Sequence, residues 1–138
     1  MYSALMIAEY VIAYYGKTEW IISNFKLQKV LYFLQVEYAL RFDKPLFLDN
    51  IESWDFGPVV PIVYEKYEKF GTADIPGFLV INTRINQEDK IIIDEVLEKL
   101  KSYTNNDLTA MVISQKPWIK NYKKGMRNII SFEDMKKE

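Results

Sequence analysis

The chain has 138 residues, with 18 Lys and Arg against 19 Asp and Glu, for a net charge of −1. It has no Cys and no His, which excludes disulfides, thiolate nucleophiles and Cys-ligated metals, and removes the commonest general base and metal ligand together. Apolar residues reach 49% and aromatics 15%, above what a disordered chain carries, and this length suits one domain over residues 1–138 that buries a core of its own.

Residues 2–15 read as a first helix. Ser3 can cap it, Leu5, Ala8, Ile12 and Tyr15 recur at helical spacing, and Gly16 stops it. The Met1 end has no basic stretch and the first apolar run contains Glu9, so no signal peptide is expected and a cytoplasmic protein is. The stretch that organises the chain is residues 24–41. Leu27, Leu31, Leu34 and Tyr38 form one helical stripe, and Val30, Phe33, Val36 and Leu40 widen it. Such a helix is central, with neighbours on several sides. Four charged residues interrupt it, so it does not read as a membrane span. Ser23 or Asn24 would cap it, and it ends before Asp43-Lys44-Pro45.

Residues 51–56 read as a short strand that Gly57-Pro58 breaks, with Pro58 opening a helix over residues 59–70 and Gly71 closing it. Residues 72–87 are irregular, with a candidate strand over 78–82. A helix follows at 91–103, with Ile92, Val96, Leu97 and Leu100 on one face. Asn106 or Asp107 caps another at 108–114. Residues 116–128 read as loop or loose helix, 129–130 as a short strand, and Ser131 with Asp134 as a capping box.

Few residues invite chemistry. Glu52 and Asp55 fall on opposite faces of a strand, and Asp94 with Glu98 is the spacing of a solvated helix face. There is no nucleophile elbow, P-loop or dinucleotide fingerprint. The expectation is a protein that is not an enzyme and holds no metal or cofactor.

Two stretches point to binding. Residues 54–64, WDFGPVVPIVY, allow two readings. Trp54, Val60 and Tyr64 are core around a strand-to-helix turn, or Trp54, Phe56, Val59 and Pro61 form a rigid aromatic and proline surface for a partner. The second is the tail. Residues 1–115 carry 11 bases and 16 acids, whereas residues 116–138 carry 7 and 3. Lys116, Lys120, Lys123, Lys124 and Arg127, with Trp118 and Tyr122 among them, form either a solvated surface or a stacking and phosphate surface. Trp118, beside Pro117, can equally fold back to plug the core.

Residues 25–33, FKLQKVLYF, resemble the K-L-Q-K signature of the Panacea antitoxin domain, a SocA-like, phage-associated family. Lys44-Pro45-Leu46-Phe47 resembles its P-L-F turn, residues 51–64 its I-E-A-W-x-x-G-P-V-V-P core, Lys69-Phe70-Gly71 its helix end and Pro117-Trp118 its late pair. Where members of that family carry Thr-His-x-Glu, this chain has Val112-Ile113-Ser114-Gln115. The resemblance implies a mostly helical antitoxin that neutralises a cognate toxin by direct binding or as an adaptor to a protease.

These readings converge on a mainly α domain built around a central buried helix, with a small β element. The expected partner is a toxin protein, not a membrane. The expected contact residues are Trp54, Phe56, Pro58, Val59 and Pro61, with Lys26, Lys29 and Trp118. The alternative is a nucleic-acid-binding regulator using residues 116–127.

Overall fold

The computed structural model describes residues 1–77 and 84–137, so the candidate strand over residues 78–82 lies outside the described residues. The elements run α1 (Ala4–Gly16), α2 (Asn24–Phe42), β1 (Ile51–Trp54), β2 (Gly57–Val59) and α3 (Pro61–Tyr67), with a 3-10 turn at Glu68–Phe70. Then come α4 (Gln87–Leu100), α5 (Asn105–Ile113), α6 (Lys116–Asn121), β3 (Asn128–Ile130) and α7 (Phe132–Met135). The arrangement is mainly α with one small antiparallel sheet, ordered β2-β1-β3.

Local chemistry sets most of the starts. Ser3, Ser23, Asn86, Thr104 and Ser131 each accept a hydrogen bond from a backbone N–H in the first turn of the helix they precede. Caps of this kind contribute about 1 kcal/mol each. Thr104, rather than Asn106 or Asp107, caps α5, and Asp107 answers it as the other half of a capping box. Gln87 to Lys90 are good helix formers with acids in the first turn, so α4 starts earlier than its apolar spacing suggests. Ile93, not Ile92, is its fully buried isoleucine.

The strand pattern also differs from expectation. Asp55 and Phe56 form a two-residue loop, and Gly57 pairs back with Trp54, so Gly57-Pro58 lies in a second strand and not at a helix start. Gly57 adopts φ 136°, open to glycine and strained for other residues. Pro58 faces Ser53 on the edge strand β2, where a missing N–H is tolerated. Pro61 takes the first position of α3 instead. β3 pairs with the other side of β1, as residues 129–130 suggest.

α2 is central as expected: α1, α3, α4, α5, α7 and β2 all contact it. Leu27, Val30, Leu31 and Leu34 are fully buried, each worth about 1.5–3 kcal/mol in area removed from water. Several of its polar residues are buried too. Gln28, Lys29 and Gln35 are nearly inaccessible. The Gln35 side-chain oxygen accepts from the N–H groups of Leu46 and Phe47 at 2.8 and 3.2 Å, while its amide donates to the Phe47 carbonyl at 2.7 Å. Gln28 accepts from Val60 N–H at 2.9 Å and donates to Asn24, which donates in turn to the Tyr64 carbonyl.

α4 is held by tyrosines. Tyr2 and Tyr38 both donate to Asp89 at 2.6 Å, Tyr10 donates to Asp94 at 2.5 Å, and Tyr14 donates to Glu98. Asp94 and Glu98 are therefore bonded into the fold and are not merely solvated, because α1 lays its tyrosine face along them. At the other end of α1, a Cβ on Gly16 would fall 2.5 Å from Gly77 Cα, so the two backbones meet directly.

Gln35→Leu should lower the unfolding free energy by about 2–4 kcal/mol in a denaturant titration, because it leaves two buried N–H groups and a carbonyl unpaired. Glu37→Gln on the same helix should change it little. A pH series gives a second test. Burial opposes the charge on Asp89, but hydrogen bonds from Tyr2 and Tyr38 outweigh it and hold the carboxyl below its usual range. Hydrogen bonds from Tyr14 and Lys101 lower Glu98, and those from Lys120 and Asn121 push Asp134 down to about 2. Burial and then the facing carboxylates raise Tyr10 and Tyr14. A lowered carboxyl stabilises the fold above the unfolded value near 4 and loses that effect as pH falls through the folded value. A raised tyrosine stabilises it below about 10 and loses that effect as pH rises. Unfolding free energy should therefore fall below about pH 5, and above about pH 9 the loss that tyrosine ionisation causes should be smaller in Tyr10→Phe than in the unaltered chain.

Candidate functional site

The β1–β2 loop brings four aromatic rings from three elements together at the N-terminal end of α2. Phe56 sits on the loop, Trp54 at the end of β1, Phe25 in the first turn of α2 and Tyr64 on α3. Ring centroids lie 5.1 Å apart for Phe25–Phe56 and Trp54–Tyr64, 5.8 Å for Trp54–Phe56 and 6.0 Å for Phe56–Tyr64. Most of these contacts are edge-to-face, a favoured geometry worth about 0.5–1.5 kcal/mol per pair beyond area burial. Phe56 keeps 38% of its surface exposed, whereas Trp54 keeps 7%.

Charged groups surround the cluster. The Arg127 guanidinium lies over the Trp54 ring, 3.7 Å from its centroid. Arg127 has φ 49°, a left-handed conformation fixed by the turn before β3. The Trp54 indole N–H donates to Glu52 at 2.8 Å. Asp55, in the loop, accepts from Tyr122 hydroxyl at 2.9 Å and from Gly125 N–H at 2.8 Å, which lower its carboxyl below the usual range. Tyr122 stacks on Trp118 with centroids 4.5 Å apart, so α6 is tied to the same loop. Glu52 and Asp55 therefore serve two structural contacts and not a shared acid–base site.

Lys29 lies beneath. It is 1% exposed, its ammonium 5.9 Å from the centre of the Phe56 ring. It donates to the Phe25 carbonyl at 3.4 Å, a long hydrogen bond, and among the described residues no carboxylate pairs with it. Burial pushes its pKa down to about 8. A Cβ at Gly57 would come 2.9 Å from Lys29 Cε, so Gly57 also makes room for this side chain.

The other expected contact residues divide by place. Pro58 and Val59 are buried in β2, and Pro61 is half-buried at the start of α3. Trp118 is 5% exposed and fills the core edge, the second of its two readings, although its stack with Tyr122 reaches the loop. Lys26 turns away: its ammonium donates to the Lys101 carbonyl at 3.0 Å and lies over Tyr15. Trp54, Phe56 and Lys29 thus come together, Trp118 joins through Tyr122, and Lys26 does not. The sequence reading missed Phe25 and Arg127. Phe25 had a signal, one helical turn before Lys29; Arg127 had none, since its contact spans much of the chain.

In the basic tail, Lys120 pairs with Asp134 at 2.9 Å and Arg127 is engaged on Trp54. At the opposite end of α2, a cleft of about 440 Å³ lies between Tyr2, Tyr38, Lys44, Arg84 and Asp89. Among the described residues no group of His, Cys, Asp or Glu could hold a metal ion, and no helix is long and apolar enough to cross a membrane.

Comparison with known proteins places these features. The family model "Antitoxin SocA-like, Panacea domain" matches residues 27–119, a stretch that takes in the β1–β2 loop, Lys29 and Trp118. The chain is 42% identical over 67 residues to "Antitoxin SocA" of Caulobacter vibrioides (strain NA1000 / CB15N). That match covers 49% of this chain and 33% of the relative, so the chain spans about one-third of the protein it resembles. No solved structure matches. Gln115, near the end of the matched stretch, accepts a hydrogen bond from the Tyr32 hydroxyl of the α2 motif at 2.7 Å. With the family model covering most of its length, the chain belongs to the SocA-like, Panacea-domain antitoxin family.

Proposed function

We propose that this chain is the antitoxin of a toxin–antitoxin pair, acting in the cytoplasm, and that it neutralises its toxin by direct contact rather than by catalysis. The surface it uses is the β1–β2 loop. The observation that carries this reading is the placement of Phe56: a large apolar side chain, more than one-third exposed, on a two-residue loop whose backing rings are already packed. Aromatic residues dominate binding hot spots, and a loop that is already ordered loses little freedom when a partner docks. Pro61 and Tyr64 extend the surface along α3, and Arg127 borders it. Trp54, Pro58 and Val59 act from within, by fixing the loop. The same contact would serve an adaptor that delivers the toxin to a protease.

Expression of the neighbouring open reading frame with and without this chain tests the reading. Co-expression should relieve the toxicity of that frame and allow the two proteins to co-purify. Phe56→Ala should lose rescue and weaken binding by roughly thirtyfold, about 2 kcal/mol, while the chain stays folded with a melting temperature lowered only by the lost ring contacts. A steady toxin level during rescue supports inhibition by contact; a falling level supports delivery to a protease. A Phe56→Ala variant that rescues fully removes the loop from the interface.

A further inference from the structure

Lys29 has no evident use in the free fold. Its ammonium is buried beside the Phe25 carbonyl, the Phe56 ring and the Gly57 backbone, and that carbonyl is its one hydrogen-bond acceptor among the described residues. An ammonium carries three donors, and the Phe25 carbonyl takes one of them. A buried charge without a partner opposes folding, and an apolar side chain of similar length would fill the same slot without that cost. Gly57, whose φ of 136° itself favours glycine, leaves open the space in which the lysine tip lies, since a Cβ there would come 2.9 Å from Cε. The cover over it is the exposed side of the site: Phe56, on a loop of two residues.

We infer that Lys29 is a buried reader of a carboxylate on the partner: an Asp or Glu side chain of the toxin enters beside Phe56 and pairs with the Lys29 ammonium. This inference rests on the proposed toxin contact and specifies its chemistry. Charge complementarity selects the occupant. Among the described residues no carboxylate pairs with the Lys29 ammonium, and the bordering side chain is the Arg127 guanidinium, held flat on Trp54. Asp55, the acid in the loop, is occupied by Tyr122 and Gly125. An entering carboxylate would complete the hydrogen bonds that the free chain leaves unmade, and the closing rings would exclude water around the pair. Such a pair discriminates strongly, because a partner without the acid would bury the lysine unpaired.

The test uses the full chain and the toxin that co-purifies in the rescue experiment. Lys29→Met should hold or raise the melting temperature of the free chain, because it removes an unpaired buried charge. It should also weaken toxin binding by roughly thirtyfold or more, the cost of leaving one partner of a buried pair alone. A residue with a merely structural role would lower both together, and that result overturns the inference. So does unchanged affinity in Lys29→Met when Phe56→Ala has lost binding, which would leave the proposed function standing. A scan of toxin acids to their amides, read against the wild-type chain, does not depend on how Lys29→Met folds. One acid should matter more than tenfold against wild type and little against Lys29→Met, as a double-mutant cycle requires. No such acid overturns the inference, and a wild-type chain that fails to bind the toxin removes this inference and the proposed function alike.

Discussion

The rest of the fold depends on the buried amide side chains of α2. A helix covered on nearly all sides must face segments that are not helical, and the backbone of such segments carries donors and acceptors that cannot be buried unpaired. Gln35 supplies both kinds of partner to Leu46 and Phe47, as an adjacent strand would. Gln28 and Asn24 do the same for Val60 and Tyr64 at the entrance to α3. The long connection after α2 and the turn into α3 are thereby fastened to the same helix. Apolar burial supplies most of the driving force; these three residues decide which backbone segments may lie against it.

That fastening positions the candidate site. Gln28 holds Val60, one residue after β2, so the loop between β1 and β2 projects over the first turn of α2. Phe25, Trp54, Phe56 and Tyr64 then meet from three directions, and Asp55 is drawn to Tyr122 and Gly125 from the C-terminal part of the chain. The result is a loop supported on several sides whose outermost ring faces water. Rigidity of this kind suits recognition.

The acidic balance of residues 1–115 has a structural use as well. Asp89, Asp94 and Glu98 accept hydrogen bonds from Tyr2 and from tyrosines of α1 and α2, while Ile93, Val96, Leu97 and Leu100 are buried along the same helix. α4 is therefore held by apolar burial on one face and by charge-assisted hydrogen bonds along its flank. In the basic tail, Lys120 pairs with Asp134 and Arg127 stacks on Trp54, so part of that charge also closes the fold.

Features of short range were legible in the sequence. The helical spacing from Leu27 to Tyr38, the Ser3 cap, a cap at Ser23 or Asn24, a strand within residues 51–56 and the short strand at residues 129–130 all follow from periodicity or from one capping side chain. The motifs in residues 25–33 and 51–64 also carried the family. The sequence misled where tertiary context overrode a local rule. Pro58 looked like a helix start because proline suits that position, but an edge strand also accepts it. Asp94 and Glu98 looked solvated because nothing in α4 itself reveals the tyrosines of α1. The sequence by itself determined a mainly α fold around one central helix, the family and the aromatic character of the candidate surface, since each depends on residues within a few turns of one another. Only the tertiary structure decided which aromatics are buried and which is presented, that Lys26 is engaged elsewhere, and that Lys29 lies buried beside Phe56 with no carboxylate among the described residues to pair it. Burial and pairing are properties of segments distant in the chain, and no local pattern encodes which of them will meet.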